Sequence, residues 1–160
     1  MNWNSFYEDQ AKLDEHIIKT QNLEHADVID DKLLALYVEV GELANETRCF
    51  KFWSTKPSSD KDIVLEEYVD GLHFILSLGL DLDLRYQSVP LADHSSKTNA
   101  FLNVFTSIEQ FKHTQDRDSY QQMFEAYLTL GQALGITELE LQHAYKEKNQ
   151  VNFQRQNQGY

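Results

Sequence analysis

Apolar residues recur at helical intervals in six segments of the chain. Because a spacing of three and four residues places side chains on one face of an α-helix, each segment predicts a helix. The predicted helices cover residues 3–19, 30–49, about 61–80, 97–113, 119–134 and 138–155. No alternating pattern of useful length indicates a strand. The pattern therefore predicts an all-α fold, a helical bundle of about five to six helices.

Capping signals support several of the predicted helix ends. Thr137 followed by Glu140 is a capping box that begins the last helix. Ser59 and Asp62 resemble the same motif at the start of the third helix, with Asp in place of the usual Glu or Gln. Gly135 fits the C-terminal cap of the fifth helix.

The second and third predicted helices are the most apolar. Nearly all sides of the second are apolar apart from an acidic stripe, and the third is very apolar after Asp70. Such helices are normally buried, and the second is expected to be central. A short chain with two of them has more apolar surface than one helical layer hides easily, so a homodimer is expected.

Composition narrows the class of protein. A length of 160 residues predicts one domain over residues 1–160. Only two prolines and six glycines favour long helices over a turn-rich β fold. A net charge of −12 without any run of Lys or Arg excludes nucleic acid as an expected partner.

The cysteine count and the lack of a long apolar run bear on the cellular compartment and on the type of metal. One cysteine allows neither an intrachain disulfide nor a zinc cluster. Residues 1–15 do not resemble a signal peptide, and no apolar run approaches the ~20 residues that cross a bilayer. We therefore expect a cytoplasmic protein without a membrane partner.

Two acidic motifs carry the candidate chemistry. Glu39 and Glu42 lie three residues apart on the second helix, as do Glu67 and Asp70 on the third. That spacing puts each pair on one helical face, and two packed helices would bring four carboxylates together. Such a group needs cations, and all-oxygen ligands suit magnesium, manganese or calcium. A solvated acidic surface is the plain alternative.

The same ligands indicate a reaction. Magnesium held by carboxylates keeps several waters and bridges to phosphates, and a carboxylate not fully used in coordination can deprotonate a water. The motifs therefore permit hydrolysis of a nucleoside triphosphate or a similar pyrophosphate. Near the end of the chain, Lys148, Asn152 and Arg155 share one helical face, which adds cations to a negative protein.

These motifs resemble a known family. E-x-x-E followed by E-x-x-D on consecutive helices is the pattern of the all-α nucleoside triphosphate pyrophosphohydrolases, which include the MazG-type enzymes and the dimeric dUTPases. The stretches at 39–53, 65–77 and 148–160 resemble the dimeric dUTPases most. The pattern K-N-x-x-N-x-x-R-Q-x-x-G-Y in the last stretch selects that group.

The resemblance implies an activity and its metal. It implies hydrolysis of dUTP to dUMP and pyrophosphate with Mg²⁺, in two or more ions, with Mn²⁺ as an alternative ion. It also implies that the metal ligands are Glu39, Glu42, Glu67 and Asp70, and that Glu39 or Glu42 activates the water.

The resemblance further implies contacts from the C-terminal segment. Lys148 and Arg155 would meet the phosphates, Asn149 and Asn152 the nucleoside, and Tyr160 would close over it. We expect this segment to be mobile without ligand and to fold over the bound nucleotide.

Gln10 and Trp53 match positions that line the uracil pocket in that family. The match near Gln10 departs from the pattern, because Asp14 stands where an amide is expected. The alternative for Trp53 is that it is an ordinary residue of the hydrophobic core. His73, three residues after Asp70, is either a group that supports a ligand or a core histidine.

Two alternatives remain open from the sequence. One is a MazG-like pyrophosphohydrolase of another nucleotide. The other is a non-catalytic acidic helical binding protein, in which the carboxylates form a structural calcium or magnesium site or a docking face.

Overall fold

The computed structural model describes residues 1–24, 26–92 and 96–159, which form six α-helices and no strand. The helices are α1 Trp3–Gln21, α2 Ile29–Thr47, α3 Lys61–Asp81, α4 Lys97–Thr114, α5 Arg117–Ala133 and α6 Glu138–Asn157. The predicted all-α fold is confirmed, and each predicted helix has a counterpart with somewhat different ends.

Two of the predicted capping signals are present. The Thr137 hydroxyl accepts a hydrogen bond from the backbone N–H of Glu140, and the Glu140 carboxylate accepts the Thr137 N–H at 2.9 Å. Gly135 follows the C-cap residue of α5 with a φ of +73°, a conformation that costs glycine little.

The prediction of a capping box at the start of α3 is wrong. The N-cap of this helix is Asp60, and no side-chain hydrogen bond caps it. The Ser59 hydroxyl instead donates to the Glu46 carboxylate at the end of α2. A partner across the interhelical loop has therefore replaced the local backbone partner.

Helix α3 is the central helix, because it packs against α1, α2, α5 and α6. Its apolar stretch after Asp70 is buried, as predicted. Helix α2 is less central than its sequence indicated, since it packs against α3 and α4 and leaves Leu34 and Val38 exposed.

A close contact between α3 and α5, here named the tyrosine seam, involves Tyr68 and Tyr127. Their rings stack with centroids 4.6 Å apart. The Tyr68 hydroxyl donates to the Tyr127 carbonyl at 2.9 Å, and the Tyr127 hydroxyl donates to the Tyr68 carbonyl at 2.7 Å. Glycines make room for both rings, because a Cβ on Gly71 or Gly131 would lie 2.2 Å or 2.5 Å from a tyrosine hydroxyl oxygen.

Candidate active site

Helices α2 and α3 bring carboxylates from both predicted motifs together. One carboxylate oxygen from each of Glu39, Glu67 and Asp70 lies within 4.8 Å of the other two. Glu39 projects from α2, and the other two lie one turn apart on α3. These three residues are named the acidic cluster, and each is partly buried.

Glu42, the fourth predicted ligand, lies outside this close group. It is exposed, one turn after Glu39 on α2. Its charge nevertheless raises the pKa of both Glu39 and Glu67, so its carboxylate faces the same region.

The acidic cluster is electrostatically strained. Burial and, to a smaller extent, the charges of Asp70, Glu42 and Glu67 raise the pKa of Glu39 to about 7, against the opposing effect of Lys148. Burial is also the main cause of the raised pKa values of Glu67 and Asp70. Carboxylates with raised pKa values bind a proton or a metal cation more readily than isolated carboxylates do.

Lys148 of α6 supplies the cluster with a cation. Its Nζ lies 2.7 Å from Oδ2 of Asp70 and 2.7 Å from Oε1 of Glu66. Arg155, two turns further along α6, lowers the pKa of both carboxyl groups through its charge. The predicted basic face of α6 therefore lies against the acidic face of α3.

The other predicted residues of the C-terminal segment are placed as follows. Asn149 is buried and donates from Nδ2 to the Asp9 carbonyl at 3.5 Å, whereas Asn152 is partly buried. Tyr160 lies outside the described residues.

The C-terminal segment is helical as far as Asn157, and the expectation that it folds over a bound nucleotide stays a prediction. Helix α6 continues to Asn157, whose side chain lies 3.0 Å from His16 of α1. The ring of Phe153 packs against His16, with centroids 5.2 Å apart. The residues that we expect to fold over a nucleotide therefore also contact α1.

Gln10, predicted to line the uracil pocket, is buried in a polar network between α1, α3 and α6. Its Nε2 donates to Asp14 at 2.8 Å, so its Oε1 accepts from Nδ1 of His73 at 2.6 Å and from the Tyr145 hydroxyl at 2.9 Å. Asp14 is also the acceptor for the Ser77 hydroxyl. The residue that departs from the family pattern therefore anchors the amide of Gln10.

The network keeps His73 neutral. Burial and, to a smaller extent, the Lys148 charge lower the pKa of His73 to about 3. Because Nδ1 carries the proton given to Gln10, Nε2 holds a lone pair. This Nε2 is the one buried side-chain nitrogen or oxygen without a hydrogen-bond partner in the described part of the chain.

Trp53 lies in the loop between α2 and α3 and does not belong to the core. Its residue is 65% exposed, and its ring contacts those of Phe50 and Phe52. Phe52 is 93% exposed, so the loop presents an aromatic surface. The core interpretation of Trp53 is wrong, because the loop points this ring outward.

Comparison with known proteins identifies the family. Residues 2–160 match the sequence profile of the family described as dUTPase. The chain belongs to the dimeric, all-α dUTPase family. No curated protein matches it significantly. The dUTPase family implies a nucleotide pyrophosphohydrolase activity.

The acidic cluster fits the magnesium that the dUTPase family uses. All its donors are carboxylate oxygens, which suit Mg²⁺ and Mn²⁺ and do not suit a thiolate-preferring metal. Three carboxylates so close together call for more positive charge than the single ammonium group of Lys148 supplies. A divalent cation would supply that charge.

Sequence reasoning missed the role of Glu66 in this dUTPase-family site. The available signal was its position four residues before Asp70, which puts both on one face of α3.

Among the described residues, none of the helices combines the length and the apolar character that a membrane span requires.

Proposed function

We propose that the chain hydrolyses dUTP to dUMP and pyrophosphate with Mg²⁺ as its cofactor. The observation that carries the proposal is the convergence of Glu39, Glu67 and Asp70 in a chain of the dUTPase family. Residues 1–160 would act as one domain. Two or more Mg²⁺ ions are proposed, and Mn²⁺ is the alternative ion.

The acidic cluster and Glu42 are the proposed metal ligands. When bound, the metal supplies Lewis-acid polarisation of the phosphate oxygens. Glu42 completes the set from one turn further along α2, where its charge already influences Glu39 and Glu67.

Glu39 or Glu42 is the proposed general base. Glu39 has a pKa raised to about 7, which matches a group that takes a proton near neutral pH. The water oxygen would form a bond to phosphorus while the bond to the pyrophosphate oxygen breaks. The proton of the water passes to the carboxylate, and no covalent enzyme intermediate forms.

The basic face of α6 is the proposed phosphate-binding side. Lys148 and Arg155 already lie near Glu66 and Asp70. Their charges would offset those of a triphosphate beside an acidic protein. Asn149 and Asn152, on the same helix, are proposed to contact the nucleoside, and Tyr160 to close over it.

Base recognition is proposed to involve Gln10 and Trp53. The buried network fixes the orientation of the Gln10 amide, and rigid placement of a polar group favours discrimination between bases. Trp53 supplies an exposed aromatic ring that can stack on a base.

A homodimer is proposed from the exposed apolar surface. Leu34 and Val38 lie one turn apart on α2 and are 64% and 49% exposed, and Leu102 on the adjacent α4 is 59% exposed. Exposed apolar side chains on two adjacent helices can be buried against the same surface of a second copy across a two-fold axis.

The direct test is pyrophosphate release from dUTP, dUDP, dCTP, dTTP and UTP, with and without Mg²⁺. We expect Mg²⁺-dependent release with dUTP preferred. Glu138→Gln, an exposed change at the start of α6, is the control for Glu39→Gln. A preference for another nucleotide would favour a MazG-like activity. No hydrolysis of any nucleotide would favour a non-catalytic binding protein.

A further inference from the structure

The ion pairs of Lys148 differ from those of the other lysines. Its Nζ lies between Asp70 and Glu66, at 2.7 Å from each. No other lysine in the described ranges contacts two carboxylates. Only 9% of the Lys148 side chain and 20% of the Asp70 side chain are exposed, so solvent screens this pair weakly.

We propose that Lys148 is an internal counter-ion of the metal-free site, which a divalent cation must displace from Asp70. Glu66 then retains the displaced ammonium beside the position of the phosphates. This inference rests on the proposed function, because it takes Asp70 as a metal ligand.

Competition follows from the charges. Without metal, the three carboxylates of the acidic cluster repel one another, and Lys148 is a cation in direct contact with one of them, Asp70. This contact therefore stabilises the metal-free fold. A metal ion bound by Asp70 would meet the ammonium at close range, and two cations at one carboxylate repel each other. The contact that stabilises the metal-free state thus weakens metal binding.

Glu66 explains why the lysine would remain near the site. It lies one turn before Asp70 on the same face of α3, but it does not belong to the acidic cluster. Its side chain is 56% exposed, so it can hold Lys148 without needing the metal for neutralisation. Glu66 is therefore a positioning residue for Lys148, and not a metal ligand.

The first experiment measures Mg²⁺ binding by calorimetry without nucleotide. Lys148→Met should raise the affinity for Mg²⁺ about tenfold or more, because it removes a cation from a ligand carboxylate. The same variant should lower kcat/KM for dUTP at least tenfold, because a phosphate contact is lost. Lys61→Met is the matched control, since Lys61 pairs with Glu140 alone at an exposed site, and it should change Mg²⁺ affinity less than twofold.

The second experiment follows the ammonium group in the wild-type protein by ¹⁵N NMR, with the Lys148 signal identified by its loss in Lys148→Met. Mg²⁺ alone should shift this signal and leave that of Lys61 unchanged. In Glu66→Gln, the Lys148 signal of the Mg²⁺-bound protein should broaden through faster exchange with water. The same variant should raise KM for dUTP about three- to tenfold and change kcat less.

The outcomes separate this inference from the proposed function. The counter-ion role alone would be overturned by either of two results. One is that Lys148→Met leaves the affinity for Mg²⁺ unchanged or lowers it. The other is that Mg²⁺ does not shift the Lys148 signal. Failure of the wild-type protein to bind Mg²⁺ or Mn²⁺ would overturn both. Opposite changes in Mg²⁺ affinity and in turnover would support the inference.

Discussion

Helix α3 forms two interfaces of opposite character. Toward α5 it presents Tyr68, whose hydroxyl and carbonyl are both paired with Tyr127 in the tyrosine seam. Toward α2 and α6 it presents Glu67 and Asp70, two of the three like charges that meet in the acidic cluster. Residues that are neighbours in sequence thus serve a satisfied interface and an unsatisfied one.

The difference between these two interfaces separates the residues of α3 that stabilise the fold from those that are proposed to act in catalysis. In the tyrosine seam every polar contact is completed within the protein, so a change there should reduce stability. In the acidic cluster the missing partner is a cation from outside, so a change there should reduce activity and relieve repulsion.

The largest effect is expected for Asp70→Asn in the acidic cluster. Loss of a ligand carboxylate should lower kcat/KM for dUTP ~10²- to 10³-fold, or about 2.7–4 kcal/mol, while the fold remains. Pyrophosphate release at saturating Mg²⁺ measures it, with Asp62→Asn in the first turn of α3 as the control. Turnover near the wild-type rate would show that Asp70 does not bind the catalytic metal.

Gly71→Ala tests the tyrosine seam. The new Cβ would lie 2.2 Å from the Tyr127 hydroxyl oxygen, so the two helices must shift, and we expect a loss of about 1–3 kcal/mol in the free energy of unfolding. Urea unfolding measures it. Gly41→Ala on α2 is the control, because nothing lies within 4 Å of its Cβ, and it should stabilise the protein by ~0.5–1 kcal/mol. Equal effects of the two changes would refute the close-packing argument.

Mg²⁺ should stabilise the interface that the protein leaves incomplete. At a concentration about ten times its Kd, Mg²⁺ bound only to the folded state adds about 1.4 kcal/mol to the free energy of unfolding. Thermal scans with EDTA and with Mg²⁺ measure the difference, which should vanish in Asp70→Asn. Identical melting curves for the wild-type protein would favour a solvated acidic face.

The pH dependence of stability in the absence of metal should reveal the burial of Glu39 and its repulsion by neighbouring carboxylates. The pKa of Glu39 is raised from an ordinary value of 4.5 to about 7, so the folded state binds more protons than the unfolded state between these values. The free energy of unfolding therefore falls as pH rises through this window. After discounting for solvent screening, Glu39 contributes about 1 kcal/mol, or ~2–4 °C in Tm. Glu39→Gln in EDTA should flatten this slope, and an unchanged slope would assign it to other groups.

Tyr127→Phe should have the smallest effect. It removes the hydrogen bond to the Tyr68 carbonyl and keeps the stacked rings, so a loss of about 0.5–1.5 kcal/mol is expected in urea unfolding. Activity should stay near the wild-type level, because the described hydrogen bonds of Tyr127 are made with Tyr68 and not with a carboxylate of the acidic cluster. A large loss of activity with little loss of stability would mean that the two faces of α3 are not separable.

The six helices were predictable because apolar periodicity is strong and prolines are few. The convergence of Glu39 with Glu67 and Asp70 was predictable too, since both motifs lie on consecutive packed helices. The pairing of Lys148 with Glu66 was not, because nothing local records which helix faces will meet across 82 residues of chain.

Local patterns also failed where tertiary partners replaced them. Ser59 has the spacing of a capping residue, yet its hydroxyl donates a hydrogen bond to the Glu46 carboxylate across the loop. Gln10 matched a family position, but its partners His73 and Tyr145 come from two other helices. Such partners become visible only when α1, α3 and α6 are packed together.

The contact between α1 and α6 sets an order of assembly. The Tyr145 hydroxyl donates to the Phe6 carbonyl at 3.2 Å, across 139 positions in the chain. Contacts between residues so far apart in sequence form late in folding, because the chain must lose the entropy of closing a long loop before the contact can stabilise it. During synthesis α2 and α3 emerge before α6, so we expect their carboxylates to meet before Lys148 is available to neutralise them. The nascent chain should therefore depend on dissolved cations more than the finished protein does.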